Sequence, residues 1–173
     1  MPTTPRPGAP APALDLTLLD GTPWRLADQT PEIFSMLVVY RSLHCPICRT
    51  FLQTLHGLHD NFAAAGYDVT VLSMDDGDRA ARAQAEWGLD PMRMAHGLTE
   101  AQARDWGLYL STARKDDEPA LFAEPGLFLV TRDGTLWMAD VANVPFVRPD
   151  LDGLLARAGM MAGHAEGPPR GMD

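Results

Sequence analysis

Val38-Val39-Tyr40-Arg41-Ser42-Leu43-His44-Cys45-Pro46-Ile47-Cys48-Arg49 joins two stretches of different hydrophobic period. Residues 36–40 form an apolar run of strand length. Beyond the polar turn, Ile47, Phe51, Leu55, Leu58 and Phe62 repeat every three or four residues. That spacing predicts the buried stripe of a helix running to about residue 65, with Gly66 ending it. Cys45 and Cys48 are the only cysteines and stand at this strand-to-helix corner. The first cysteine then lies at a helix N-terminus, where unpaired amides and the helix dipole favour a thiolate. Pro46 takes the first helical turn, where its missing N–H costs nothing. Cys48 follows one turn on, within reach of a sulfur-centred intermediate at Cys45.

Two other readings attach to the pair. Cysteines three apart form half of a zinc site, and His44, His56 and His59 are nearby ligand types. A tetrahedron drawn largely from one helix has no obvious geometry. Alternatively, both cysteines are small buried hydrophobes. The proline-containing C-P-x-C on a strand-to-helix turn favours redox chemistry over either.

Length and composition set outer bounds. A chain of 173 residues suits one domain with a real core plus tails. The net charge is −9 and the basic residues are scattered, which argues against nucleic acid and anionic membrane surfaces as partners. No apolar run approaches bilayer-spanning length, and the proline-rich residues 1–12 lack the apolar region of a secretory signal. A cytoplasmic protein is the expectation, and there a lone C-x-x-C reads as catalytic rather than as a staple.

In chain order, residues 1–12 read as a flexible lead, and residues 13–28 as a β-hairpin turning at Asp20-Gly21. After the first helix, residues 69–74 predict a strand, and the Asp75-Asp76-Gly77-Asp78 cluster a turn and N-cap for a helix reaching Trp87. Met92, Met94 and His96 alternate on a short extended piece, which suits core packing better than a soft-metal ligand set. Thr99-Glu100-Ala101-Gln102 matches a capping box opening a helix through Trp106. Residues 114–119 form a charged loop, and Arg132-Asp133-Gly134 joins strands over 126–131 and 135–141. Asp150 caps a last helix with Leu151, Leu154, Leu155 and Ala158 on one stripe. The domain therefore spans 13–161, and residues 162–173 form a disordered tail. The order of elements gives an α/β fold, a central mixed β-sheet flanked by helices with an N-terminal β-hairpin.

Several stretches of residues 13–160 resemble the thioredoxin-like fold in its peroxiredoxin branch, the alkyl hydroperoxide reductase/thiol-specific antioxidant (AhpC/TSA) family. Residues 11–16 and 20–26 look like the leading hairpin of that group, and residues 40–48 look like its Y-R-G-x-x-C-P-x-C motif. Glu124-Pro125-Gly126-Leu127-Phe128-Leu129-Val130 resembles the segment where thioredoxin folds carry a cis-proline facing the cysteines. Residues 144–149 resemble the stretch before the last helix. Peroxidatic cysteines of the family follow Pro-x-x-x-Thr/Ser-x-x-Cys, with an arginine ahead of a later strand, and two positions depart from this. Ser42 stands in the Thr/Ser position, but Val38 replaces the proline, and Glu124-Pro125 stand where an arginine is usual.

The resemblance implies an antioxidant oxidoreductase. Cys45 attacks a hydroperoxide, Cys48 condenses with the resulting sulfenic acid, and a thioredoxin- or glutaredoxin-type dithiol resets the disulfide. Ser42 is the expected hydrogen-bond donor to thiolate or peroxide. Arg148 or Arg41 is expected to replace the missing arginine, and Pro125 to shape the substrate groove. The resemblance also suggests a homodimer and no metal or other cofactor. Two alternatives stay open: thiol–disulfide exchange of the thioredoxin type on a disulfide substrate, and a soft-metal (copper) carrier built from Cys45, Cys48 and His96.

Overall fold

The computed structural model describes residues 4–157, 160–161, 163 and 170–172. The chain begins with a hairpin of β1 (Asp15–Leu18) and β2 (Pro23–Arg25), with Leu16 opposite Trp24. Then come β3 (Phe34–Val39), α1 (Pro46–Ala64), β4 (Tyr67–Leu72), α2 (Gly77–Trp87), β5 (Met94–His96) and α3 (Glu100–Asp105). A small hairpin, β6 (Leu110–Thr112) and β7 (Leu121–Ala123), precedes β8 (Gly126–Thr131), β9 (Leu136–Val141) and α4 (Leu151–Ala156). The large sheet has seven strands in the order β2-β1-β5-β4-β3-β8-β9. Strands β3, β4 and β5 run parallel, as crossover helices require, and the flanking strands are antiparallel.

β3 lies inside this sheet, between β4 and β8, and all six of its residues are buried. Phe34, Met36 and Val38 face a core shared with Leu52, Leu55 and Phe62 of α1 and Leu151 of α4. Leu37 and Val39 face the opposite core with Trp24, Trp106 and Phe128. A strand covered on both faces reads as a continuous apolar run, which is how the sequence presents it. Its C-terminal end delivers the chain to the cysteines. Among the described residues no helix is long and apolar enough to cross a membrane.

Two expectations need correction, and one hairpin was not foreseen. The buried face of α1 runs through Cys48, Leu52, Leu55 and Phe62, while Ile47 is 40% exposed and Phe51 and Leu58 are only partly buried. Cys45 caps the helix, and Cys48, whose amide meets the Cys45 sulfur, turns into the core, so the packed face passes through Cys48 rather than Ile47. The charged loop expected over 114–119 is present, and it forms the turn of the β6–β7 hairpin, whose three-residue strands are too short to show alternation. Residues 8–11, assigned to a flexible lead, hydrogen-bond to Gly134 and Leu136 and so extend the sheet edge. Ala158 and most of 162–173 lie outside the described residues, while Met172 lies against Gly8.

The corrected helix face is testable. Leu52→Ala is expected to lower unfolding free energy by about 2–5 kcal/mol, as for a fully buried leucine. Ile47→Ala is expected to stay within about 0.5 kcal/mol, as for an exposed site. Denaturant titration of both variants checks the rotation, and similar losses would contradict it.

Candidate active site

The peptide N–H of Tyr40 donates to Leu72 O at 3.0 Å and prolongs the β3 ladder by one residue. The chain then leaves the sheet, and Cys45 N donates back to Ser42 O at 3.0 Å. Cys45 has extended backbone angles and is the N-cap of α1, with Pro46 in the first turn. The peptide N–H of Cys48 donates to Cys45 Sγ at 3.2 Å, the bond that an N-cap side chain accepts. Both thiols are free and enclosed, with 1% and 0% exposure.

A buried carboxylate holds the turn before Cys45. Asp75, just beyond β4, accepts from Ser42 Oγ at 2.6 Å, from the Leu43 amide at 3.1 Å and from Arg79 Nε at 3.3 Å. Arg79 Nη2 also donates to Ser42 Oγ at 3.0 Å. The Ser42 hydroxyl proton is thus committed to Asp75 rather than to sulfur, because the buried anion is the stronger acceptor. Ser42 contributes to the site through its carbonyl, which receives the Cys45 amide.

The two arginines stand at different sulfurs. Arg41 Nε lies 3.1 Å from Glu124 Oε2, and its guanidinium stacks over Phe122, 4.7 Å from the ring centroid. Ser111 Oγ holds the other Glu124 oxygen at 2.7 Å. The Cys45 thiol is brought down to about 6, first by the hydrogen bond from Cys48, against the effect of burial. The Cys48 amide and the neighbouring Arg41 guanidinium act in the same lowering direction. Cys48 goes the other way, pushed well above the usual thiol range by burial and by its bond to Cys45. Arg148 Nη2 donates to Cys48 Sγ at 3.3 Å, with its guanidinium over Phe51 at 4.4 Å.

Pro125 is buried and lines a small cleft with Phe51 and Arg148, but the Glu124–Pro125 peptide bond is trans, not cis. His44 packs edge-on against Phe122 at 5.0 Å with Glu118 3.8 Å away, and burial together with Arg41 pushes its pKa down. His56 meets the Asp90 carbonyl and His59 meets Asp60. His96 lies beside Gly77 at the start of α2. Among the described residues no three His, Cys, Asp or Glu side chains converge as a metal site, so neither the zinc set nor the Cys45–Cys48–His96 set is assembled.

Sequence reasoning missed Asp75 and Glu124 as parts of the site. Asp75 was hidden in a cluster whose capping duty falls to Asp76, which accepts the Arg79 amide at 2.9 Å. Glu124 carried a readable signal. A carboxylate inside the apolar run 121–130 requires a buried cationic or hydrogen-bonding partner.

An acidified, enclosed cysteine at a helix N-terminus, with a second cysteine one turn on and a mixed sheet beneath, defines a thiol-based redox protein of thioredoxin-like fold. The model of the AhpC/TSA family matches residues 7–138, well over half the chain, and the protein belongs to that family. It is a thiol-dependent peroxidase in class. Solved structures agree on the fold. A peroxiredoxin-like protein from Aquifex aeolicus has a TM-score of 0.72 at 15% identity, covering 92% of this chain and 89% of that one. AhpC of Mycobacterium bovis gives 0.73 at 16% identity, over 92% and 93%. A thiol peroxidase from Chromobacterium violaceum gives 0.70 at 16%, over 95% and 91%. Comparison with curated proteins finds no significant match.

Proposed function

We propose that Cys45 is the peroxide-reactive thiolate and Cys48 the resolving thiol of this peroxidase. The observation that carries the reading is the Cys45 sulfur itself, at a helix N-terminus, acidified to about 6, with the Arg41 guanidinium beside it. The thiolate attacks one peroxide oxygen, the O–O bond breaks, and the departing oxygen leaves as an alcohol or water after taking a proton. Arg41 is the donor placed to stabilise charge on that oxygen. The sulfenic acid at Cys45 condenses with Cys48, releasing water and forming a disulfide. A thioredoxin- or glutaredoxin-type dithiol returns both to thiols. A lone redox-active C-x-x-C supports work in a reducing compartment such as the cytosol.

Thioredoxin-type exchange with protein disulfides is the second reading, since a low-pKa cysteine followed by a high-pKa one serves it too. The enclosure of Cys45 at 1% exposure favours a small oxidant over a protein disulfide. Stopped-flow oxidation by hydrogen peroxide, compared with reduction of insulin disulfides, tests the choice. Peroxide oxidation no faster than that of a free thiol would overturn the peroxidase assignment to these residues.

The acidity of Cys45 gives a pH dependence. A depressed pKa means that the thiolate is lost only as pH falls through about 6. Alkylation by iodoacetamide should therefore be flat above about pH 7 and fall about tenfold per unit below about pH 5. A rate still climbing at about pH 8.5, the ordinary thiol value, would contradict the environment described for Cys45.

A further inference from the structure

The arginines divide the site in a way that the chemistry of resolution makes use of. Cys48 must become a thiolate to attack the sulfenic sulfur at Cys45, yet it is fully enclosed among apolar side chains. Arg148 Nη2 donates to its sulfur at 3.3 Å. Phe51, three residues along the same helix, holds the guanidinium at 4.4 Å, a contact that keeps a desolvated cation in register. Among the described residues, Arg148 Nε and Nη1 are buried without hydrogen-bond partners, so no described carboxylate shares the charge facing Cys48. Arg41, by contrast, stands beside Cys45 and is paired with Glu124.

We propose that Arg148 is a catalytic residue of the resolving half-reaction, stabilising the Cys48 thiolate as it attacks. The proposal rests on the peroxidase reading. The step balances within the protein. The Cys48 S–H proton leaves, the new S–S bond forms as the S–O bond of the sulfenic acid breaks, and the hydroxide takes up a proton to leave as water. Cys48 sulfur is oxidised and Cys45 sulfur is reduced.

The experiment is stopped-flow oxidation of reduced full-length protein by hydrogen peroxide, comparing wild type with Arg148→Met and Arg148→Lys. The first phase, second-order in peroxide, reports Cys45 oxidation and is expected to hold within about twofold in both variants. The second, peroxide-independent phase reports disulfide closure. It should slow by roughly 10²-fold in Arg148→Met, the scale for a lost charged donor, and less in Arg148→Lys. Its pH midpoint should rise in Arg148→Met, and high peroxide should convert more Cys45 to sulfinic acid. Slowing of the first phase by as much as the second, or an unchanged second phase, overturns the proposal.

A parallel arm with 5,5′-dithiobis(2-nitrobenzoate) separates this result from the fate of the peroxidase reading. Attack by Cys45 releases one thionitrobenzoate, and closure by Cys48 releases a second. Arg148→Met should delay the second release alone. If wild type shows no peroxide-dependent phase, the peroxidase reading fails while this arm still decides the role of Arg148. Equal delay of both releases, or of neither, counts against it.

Discussion

Cys45→Ser is expected to abolish peroxide turnover, a loss of at least roughly 10⁴-fold on the scale of other missing nucleophiles. The hydroxyl that replaces the thiol does not ionise in the accessible pH range, and no other cysteine occupies the helix N-terminus. Cys48→Ser behaves differently. It should complete one round of attack at nearly wild-type speed and then stop, leaving a Cys45 sulfenic acid that dimedone labels. Mass spectrometry after one equivalent of peroxide distinguishes the two variants. The roles would be reversed if Cys48 proved the faster thiol toward iodoacetamide at neutral pH. The structure argues against that, since burial raises Cys48 while Cys48 and Arg41 lower Cys45.

Removing Arg41 is expected to have the next largest effect, slowing the second-order oxidation of Cys45 by roughly 10² to 10³. Its guanidinium is the charged donor beside the Cys45 sulfur, in a chain with Glu124-Pro125 where the family usually places an arginine. A single Arg41→Ala change would also leave Glu124, 5% exposed, as a buried and unpaired carboxylate. Breaking a buried pair by deleting one partner commonly costs about 3–5 kcal/mol. Arg41→Met combined with Glu124→Gln removes both charges and keeps the shape, which separates catalysis from folding. The double variant should fold, react slowly with peroxide, and titrate Cys45 at higher pH. Wild-type oxidation rates in that variant would remove Arg41 from the peroxide site.

Local order was legible because it depends on residues close in sequence. The Thr99 capping box forms as its spacing requires, with Thr99 accepting from the Gln102 amide while the Gln102 side chain accepts from Thr99 N. Gly134 takes φ +86° in the turn between β8 and β9, where Asp133-Gly134 announces such a conformation. The same holds for the redox corner, where an apolar run meets a proline-bearing helix start. The helix face shows the limit of such patterns. Two neighbouring apolar stripes both repeat at helical spacing, and the packing of Cys48 beneath Cys45 selects between them.

By itself, the sequence determined that a cysteine pair would stand at a strand-to-helix corner of a mixed α/β domain. Hydrophobic period, helix caps and turn residues act within a few positions and carry that much. Only the tertiary structure decided which charged group meets which sulfur. Ser42 turns to Asp75, 33 positions on, and Arg148 reaches Cys48 across 100. Arg41 reaches Glu124 because β3 and β8 are neighbours in the sheet. Such pairings follow from sheet order and from the cost of leaving a buried charge alone, and neither leaves a repeat in the chain.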